Sequence, residues 1–356
     1  MENGKFGFMD KSGKVLIPAL YDERIYSFSE KFAVVTLGGK YGYVDKNGTQ
    51  KIQRNYDYAR AFSEKLAAVS IAGSYGYINT KGSFVIPVQF DDANSFSEGL
   101  AAVKTGGFWG YIDTKGKYII NPQYEIATNF FDGLAAVYKN GFWGLIDKKG
   151  NIIADFEYRD IAKSIQNSLL WALKDGMYGF INKKGKTVIP FEYNKAGAFS
   201  ENFAAVFKDG MSGYGYIDNK NNLKIEASGL YASDFSEGLA FVLNSGSSGS
   251  LYSVIDNKGK TVISAQFSNY RNFKGGIAPV SVGSVGSKWG VIDKKGRYVI
   301  NPQYNAISDF ESNLAIVRLG DKVGVIDKKG KIIIDIKYDN NDSLNYYGLS
   351  MVLEQQ

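Results

Sequence analysis

The chain has 356 residues, 44% of them hydrophobic, with 41 glycines and neither cysteine nor histidine. The missing residue types exclude thiolate nucleophiles, imidazole bases, disulfide frameworks and the usual zinc sites, and the apolar content excludes a collagen-like or disordered chain. Lysine and arginine total 42 against 36 acidic residues, so the net charge of +6 is small for this length.

One block recurs along the whole sequence: an aromatic residue, Gly, a hydrophobic residue, Ile, Asp, two variable residues and Gly. Trp109-Gly110-Tyr111-Ile112-Asp113 is a clear copy. We find ten copies, whose second positions are residues 7, 42, 76, 110, 144, 179, 215, 253, 290 and 324. The spacing of about 34 residues predicts a tandem repeat array.

Each repeat reads as three strands. The block alternates like a strand and ends in a type I turn, as in Asp113-Thr114-Lys115-Gly116. A second β-rich segment, from Lys117 to Ile120, follows at once, and we expect the nearby Pro122 to limit it. After about ten residues of loop and a Phe96-Ser97-Glu98-Gly99 motif, the apolar segment from Leu100 to Val103 forms the third strand. The repeat is therefore predicted to be a three-stranded antiparallel meander.

The Trp-Gly pairs at Trp109, Trp143 and Trp289 resemble the WG-repeat family of bacterial β proteins, and the resemblance covers essentially the whole chain. Ser253 in place of the block glycine and Asn221 in place of the turn glycine are departures from the pattern. The resemblance implies an all-β array in a bacterial protein, with no shared catalytic activity or common ligand. We expect residues 1–356 to form a single domain of ten repeats.

Both faces of the predicted strands are apolar, so neighbouring meanders should cover each sheet on both sides. The block aromatics are then core residues, and Gly110 would permit close approach of a neighbouring ring. The rival interpretation is an aromatic platform that binds a glycan. Asp113 and its equivalents are too sparse for calcium and are expected to cap their own turns. We therefore predict no metal and no cofactor, and no loss of thermal stability in EDTA.

Lysines crowd the same turns, as at Lys148-Lys149 and Lys294-Lys295, and alone they suggest a surface for nucleic acid. The predicted topology brings Glu98, Glu237 and their equivalents to the same edge, so mixed charge argues against a nucleic-acid partner.

No apolar run reaches the roughly 18 residues of a membrane-spanning helix, and residues 1–17 hold no signal-peptide segment. We expect no membrane insertion and a monomer, while the compartment stays open.

The sequence favours a non-catalytic module that binds a protein or glycan, or a scaffold for an attached domain. The alternatives are a carbohydrate-active or other carboxylate-based enzyme, and a weak binder of anionic polymers. Irregular repeats are where binding is expected, since the scaffold does not need their unusual residues. Repeats five and eight depart most from the pattern, and their candidate contact residues are Trp171, Tyr252, Tyr270 and Arg271.

The arrangement of the repeats is the last expectation. The chain begins at strand one and finishes with a strand-three segment, Leu349 to Leu353. Pairing the two ends would remove two exposed edges, which favours a propeller-like closed ring. An open superhelical β-solenoid is the alternative.

Overall fold

The computed structural model describes residues 5–10, 14–22, 28–163, 168–246, 249–283 and 287–339. The segment Leu349 to Leu353, on which the closed ring was argued, lies outside the described residues. Two compact units are present: unit 1 holds the described residues up to 163 with Lys183–Gly185, and unit 2 holds 168–182 and 186–339. Every regular element in these ranges is a β-strand, and none is a helix long and apolar enough to cross a membrane.

Unit 1 contains five antiparallel sheets, numbered in chain order. Their strands are β1 (Phe6–Met9) and β2 (Val15–Tyr21) in sheet 1; β3 (Ala33–Leu37), β4 (Lys40–Val44) and β5 (Gln50–Tyr56) in sheet 2; β6 (Tyr58–Ala59), β7 (Leu66–Ile71), β8 (Ser74–Asn79) and β9 (Phe84–Phe90) in sheet 3; β10 (Asp92–Ala93), β11 (Leu100–Thr105), β12 (Phe108–Asp113) and β13 (Tyr118–Tyr124) in sheet 4; β14 (Ile126–Ala127), β15 (Leu134–Lys139), β16 (Phe142–Asp147) and β17 (Ile152–Tyr158) in sheet 5; and the short β18 (Asp160–Ile161).

Unit 2 contains sheets 6 to 10. Their strands are β19 (Leu169–Lys174), β20 (Met177–Asn182) and β21 (Thr187–Tyr193) in sheet 6; β22 (Lys195–Ala196), β23 (Ala204–Phe207), β24 (Tyr214–Ile217) and β25 (Leu223–Gly229) in sheet 7; β26 (Tyr231–Ala232), β27 (Leu239–Asn244), β28 (Leu251–Asp256) and β29 (Thr261–Phe267) in sheet 8; β30 (Asn269–Tyr270), β31 (Ile277–Val282), β32 (Lys288–Asp293) and β33 (Tyr298–Tyr304) in sheet 9; and β34 (Ala306–Ile307), β35 (Leu314–Leu319), β36 (Lys322–Asp327) and β37 (Ile332–Asp339) in sheet 10.

The complete repeat has four strands in the order β10-β11-β12-β13, which we call strands a, b, c and d in every sheet. The predicted three-stranded meander is present as strands b, c and d, but the complete repeat has one strand more than the sequence predicted. Strand a comes from the predicted loop, where Asp92 and Ala93 pair with Lys104 and Val103. A two-residue strand has no alternation to reveal it, so the pattern predicted only a connection.

The proline does not end strand d, contrary to the sequence prediction. Trp109 pairs with Tyr124 and Tyr111 with Ile120, so only Gly110 on strand c faces three residues of strand d. Pro122 lies inside this bulge, where its missing N–H costs no ladder bond. A Cβ on Gly110 would lie 2.6 Å from the Ile120 oxygen and 2.6 Å from the Pro122 nitrogen. At Gly110 the block glycine therefore accommodates bulged backbone and not the expected neighbouring ring, whereas at Gly144 and Gly179 a Cβ would also meet the ring of Phe156 or Phe191.

The Asp turns form as predicted. The Asp113 Oδ1 accepts hydrogen bonds of 2.9 Å from the amides of Lys115 and Lys117, and Asn79 accepts one of 2.9 Å from the Lys81 amide. The Gly116 amide donates to the Asp113 carbonyl over 2.9 Å, and its φ is 84°. The aspartate caps its own turn because its short side chain reaches amides two and four residues ahead.

Sheets stack face to face through apolar clusters, as predicted. In unit 1, Leu100, Tyr111 and Ile120 of sheet 4 pack against Ala135, Val137 and Ile146 of sheet 5. The same packing joins consecutive sheets elsewhere within each unit. The second block aromatic is core, since Tyr43, Tyr77, Tyr111 and Tyr216 all have 0% exposure. The first aromatic is less enclosed: Trp109 and most of its equivalents are half-buried.

Within each unit, the Phe-Ser-Glu-Gly motif and its relatives link one sheet to the next. It is a two-residue hairpin turn whose Glu98 and Gly99 both have positive φ, 55° and 85°. The Ser97 hydroxyl donates to the Phe130 carbonyl over 2.6 Å, and Glu98 accepts a 3.0 Å bond from the Gly133 amide. Phe130 and Gly133 belong to the same motif one repeat later, so the motif bonds to its own next copy.

The turn lysines meet these acids, which confirms the predicted mixture of charge. Lys148 Nζ lies 3.2 Å from Glu98 Oε2, Lys294 lies 3.2 Å from Glu237, and Lys183 pairs with Asp132. Each of these lysines comes from the c-to-d turn of the sheet that follows the one carrying the acid. The lysine charges are therefore partly neutralised within the protein.

Candidate functional site

Three of the four candidate contact residues, Tyr252, Tyr270 and Arg271, line one open cavity of about 700 Å³ in unit 2. We call this cavity the tyrosine groove. It runs along the strand-a edges and the a-to-b turns of sheets 8, 9 and 10. The other residues that line it are Tyr231, Ser236, Glu237, Asn269, Asn272, Phe273, Lys274 and Asp309.

Tyr270 is the best-supported ring of the groove. It stacks on the buried Phe241 with ring centroids 4.2 Å apart, and Tyr252 meets it edge-on at 4.7 Å. Burial, together with a hydrogen bond to the Tyr231 hydroxyl, raises the pKa of Tyr270 well above its ordinary value. Its phenol is therefore neutral at physiological pH, and packing on two sides fixes the ring.

The groove arises from an exchange of side-chain size between two paired strand positions. In sheet 4 the small Ala102 on strand b faces the large Tyr111 on strand c. In sheet 8 the large Phe241 on strand b faces the small Val254 on strand c. The larger side chain of the pair therefore lies on strand b, towards strand a of the next sheet. There Tyr270 occupies the position that Ala127 occupies in sheet 5.

Arg271 faces the groove and also joins two sheets. Its Nε donates a 2.8 Å hydrogen bond to the Ile307 carbonyl, and its guanidinium carbon lies 5.5 Å from the centre of the Trp289 ring. Arg60 makes the matching hydrogen bond in unit 1, of 2.8 Å to the Ala93 carbonyl, although the ring that it contacts at 5.6 Å is Tyr58 of strand a and not the aromatic residue of strand c. Arg271 therefore follows a packing pattern that recurs, and only part of its side chain can serve a ligand.

Glu237 is the acid of the groove with the most bonds. Its carboxylate accepts from the Gly275 and Gly276 amides, the latter over 2.9 Å, and pairs with Lys294 at 3.2 Å. Desolvation acts to raise its pKa, but these amides and Lys294 hold the pKa of Glu237 below its ordinary value. Glu237 is therefore an ionised carboxylate whose hydrogen bonds join the a-to-b turns of sheets 8 and 9.

Trp171 lies elsewhere. It occupies the strand-b position of sheet 6 that corresponds to Phe241, and it packs partly buried against the cluster of sheets 6 and 7. Its ring lies 5.8 Å from that of Tyr178, and it is not among the residues that line the tyrosine groove. The structure does not bring Trp171 together with the other three candidates. Ile165, Gln166 and Asn167, the irregular residues before it, lie outside the described residues.

A family model described as WG containing repeat matches the chain ten times, at residues 6–41, 41–74, 75–107, 109–141, 143–178, 178–211, 214–246, 252–284, 289–322 and 324–353. The chain belongs to this family. The resemblance expected from the Trp-Gly pairs is confirmed, and the ten matches agree with the ten sheets of this WG repeat protein.

Several solved structures align with the WG repeat protein. A crystal structure of a eukaryotic initiation factor aligns with a TM-score of 0.50 and 12% identity, over 86% of this chain and 94% of that chain. Dipeptidyl peptidase 4 of Porphyromonas gingivalis aligns with a TM-score of 0.49 and 11% identity, over 92% and 60% of the two chains. Kluyveromyces lactis Hsv2p aligns with a TM-score of 0.37 and 11% identity, over 66% and 98%. None of the curated proteins matches the chain.

Sequence reasoning missed Tyr231, which is 42% exposed and contributes to the groove. Its ring lies 5.8 Å from Tyr214, so half-buried tyrosines continue from the groove onto sheet 7. The residue lies on strand a, which the sequence predicted as loop. Tyr58 in unit 1 has the same position and lies 5.4 Å from Tyr41, and that recurrence was the available signal.

Among the residues that the structure describes, no three acidic side chains gather closely enough to hold a metal ion. The expectation of a metal-independent and cofactor-free protein remains a prediction.

Proposed function

We propose that this WG repeat protein is a non-catalytic binding module and that the tyrosine groove of unit 2 binds a glycan. The observation that carries the proposal is the set of three tyrosines, Tyr231, Tyr252 and Tyr270, held by packing beside uncharged amide side chains. Aromatic rings present an apolar face to the C–H groups of a sugar and a hydroxyl to its polar edge.

The size and lining of the groove support a ligand of this kind. Its volume of about 700 Å³ lies within the range of about 300 to 1,000 Å³ of small-molecule sites. Asn269 and Asn272 each offer an amide donor and acceptor, which suits sugar hydroxyls that also do both. Rings already fixed by their neighbours lose little conformational entropy when a ligand binds.

The other functions have less support. A two-carboxylate glycosidase needs an acid with a raised pKa, whereas the pKa of Glu237 is lowered and its oxygens already accept protein hydrogen bonds. Nucleic-acid binding is disfavoured by the pairing of Lys148 and Lys294 with acids. A protein partner in the groove, or a passive scaffold role, remains the alternative to a glycan.

Affinity electrophoresis through gels that contain single neutral polysaccharides tests the proposal. We expect at least one polysaccharide to retard the protein, and we expect Tyr231→Ala to weaken binding about tenfold, which corresponds to the loss of one good aromatic contact. Tyr58→Ala is the matched control, because Tyr58 holds the same strand position in unit 1. Equal loss in the two variants, or no retardation by any polysaccharide, would contradict the glycan proposal, and turnover of a retained glycan would contradict the non-catalytic role.

We further propose that the ten sheets close into a propeller-like ring and do not continue as an open superhelical solenoid. Consecutive sheets within each unit pack face to face through apolar residues, and an open array would leave an apolar face uncovered at each end. Deleting residues 350–356 tests this proposal. A ring should lose cooperativity along the whole chain, while an open array should fray at one end and keep most of its melting transition. The single domain and the monomer remain predictions that the same sample can test.

A further inference from the structure

A second cavity of about 720 Å³ lies in unit 1, at the turns of sheets 2 and 3. Its lining consists of Phe28, Glu30, Lys31, Phe32, Asp45, Lys46, Asn47, Lys51 and Thr80. We call it the lysine cavity. It shares no residue with the tyrosine groove, so nothing below rests on the proposed glycan function.

Four other repeats place a lysine here, namely Lys148, Lys183, Lys294 and Lys328, whereas Thr114 stands in this relation to Glu64. Lys148 Nζ donates to the Glu98 carbonyl over 2.8 Å and lies 3.2 Å from its carboxylate, and Lys294 does the same to Glu237 at 2.9 and 3.2 Å. Thr80 is the residue that stands in this relation to Glu30. A threonine is too short to make the bridge, so the space above the Glu30 turn remains open.

The acids of the lysine cavity are already occupied. Glu30 accepts hydrogen bonds of 3.1 and 2.9 Å from the Lys65 amide through its two carboxylate oxygens. Asp45 accepts from the amides of Asn47 and Thr49 and pairs with Lys51 at 3.1 Å. These bonds leave little acceptor capacity for a ligand.

Whereas the acids of the cavity have partners, its lysines are not all paired with carboxylates of the described residues. Within the described ranges, neither Lys31 nor Lys46 has a carboxylate at ion-pair distance, and the lining carries three lysines against two acids. Lys31 has a φ of 78°, at a turn position where Gly99, Gly133 and Gly238 stand in other repeats. Lysine is disfavoured in that conformation, and among the described copies only Lys31 and Lys65 carry it. The cavity is therefore rich in N–H donors and positive charge.

We propose that the lysine cavity binds a small ring-bearing carboxylate. The carboxylate would lie between the ammonium groups of Lys31 and Lys46, with the Thr80 hydroxyl as a further donor. The ring would pack against Phe28 and Phe32, which are half-buried and supported from below by Phe8 and Phe62 at centroid distances of 4.8 and 5.1 Å. Charge-assisted hydrogen bonds supply the specificity for the anion and the two rings supply apolar contact.

Two probe pairs distinguish the source of the carboxylate. Benzoate and benzyl alcohol represent an aromatic ligand, while D-galacturonate and D-galactose represent a sugar acid, and calorimetry or NMR shift perturbation on the full chain measures the affinity. We expect at least one of the two acids to bind at millimolar concentration or better and its uncharged counterpart to bind at least tenfold more weakly. Failure of both acids, or equal binding of an acid and its uncharged counterpart, would overturn the proposal.

The decisive variant is Thr80→Lys, which supplies the bridge that Lys148 makes to Glu98. It adds positive charge yet should fill the cavity, so we expect binding to fall about tenfold or more. Thr114→Lys is the matched control, since it adds the same charge at the same turn position one sheet later and should leave binding unchanged. Lys31→Ala with Lys46→Ala should also weaken binding about tenfold, which is the loss of a charge-assisted contact. Stronger binding by Thr80→Lys, or equally tight binding of inorganic phosphate, would show general charge attraction and overturn the site.

Discussion

The joint between sheets 4 and 5 and the joint between sheets 8 and 9 use the same backbone with different side chains. At the first, Tyr111 is fully buried and its hydroxyl donates a 2.7 Å hydrogen bond to the Thr128 carbonyl. At the second, Val254 replaces that tyrosine, and Phe241 fills the space from the paired strand. The regular joint is closed by a buried polar contact, whereas the irregular one is closed by stacked rings.

This difference determines what each joint presents to solvent. In sheet 4 the Tyr111 hydroxyl is bonded inside the protein to the Thr128 carbonyl, and the small Ala127 next to it presents no polar group. In sheet 9, Tyr270 lies over Phe241 and brings its phenol to the surface beside Tyr231 and Tyr252. An exchange of the large and the small side chain between two paired positions thus preserves the fold and creates a groove, as expected for a core that tolerates repacking.

The largest effect is expected from Phe241→Ala, which removes a ring that is 1% exposed and contacts both Tyr270 and Phe273. The loss should be about 3 to 5 kcal/mol of unfolding free energy, measured by chemical denaturation. Adding Val254→Tyr should recover a large part of it by restoring the sheet 4 pair. A double variant no more stable than Phe241→Ala would show that the two joints are not interchangeable.

Gly110→Ser should follow, at about 1 to 3 kcal/mol, because its Cβ meets the bulged backbone of strand d at 2.6 Å. Sheet 8 already carries Ser253 at this position, where its hydroxyl accepts a 2.8 Å hydrogen bond from Asn244. Ser253→Gly should therefore cost about 1 kcal/mol through the lost bond. Melting of the two variants in parallel measures the difference, and equal losses would show that the bulge does not require glycine.

Tyr111→Phe should cost about 1 kcal/mol, since it leaves the Thr128 carbonyl without its buried donor. Sheet 8 has no such contact to lose, which makes Tyr252→Phe a suitable reference in the same denaturation assay. We expect that reference variant to stay within about 0.5 kcal/mol of the parent, as surface changes do. A larger loss in the reference than in Tyr111→Phe would reverse the contrast between the joints.

The smallest expected effect is a change in how the melting temperature falls at low pH. Desolvation acts to raise the pKa of Glu98, yet the Gly133 amide and Lys148 hold the pKa of Glu98 below its ordinary value. A lowered folded-state pKa contributes stability above the unfolded pKa of about 4.3, and this is lost as the pH falls through the folded value. Glu98→Gln should reduce the loss of melting temperature on acidification below about pH 5. An unchanged acid profile would show that the turn bond does not depend on charge.

The sequence predicts those features of the structure that depend on contacts between residues close together in the chain. The Asp113 turn, the hairpin of strands c and d and the apolar faces depend on residues a few positions apart, so the repeated pattern predicts them. Mixed charge at the turns followed as well, because the antiparallel order places the acids and the turn lysines at the same edge of their sheets, although the pair of Lys148 and Glu98 forms only when sheet 5 stacks on sheet 4. The choice of Tyr252, Tyr270 and Arg271 also came from the sequence, through the departure of repeat eight from its neighbours.

The tertiary structure decided what depends on residues that lie far apart in the chain. Pro122 and Gly110 meet only when strand d bulges against strand c, and the two-residue strand a exists only because strand b offers it an edge. The same holds for the groove, where stacking brings Tyr231 to Tyr270 and leaves Trp171 on sheet 6. A repeating sequence fixes each sheet through local hydrogen bonding, but which side chains meet between sheets is set by how neighbouring faces pack.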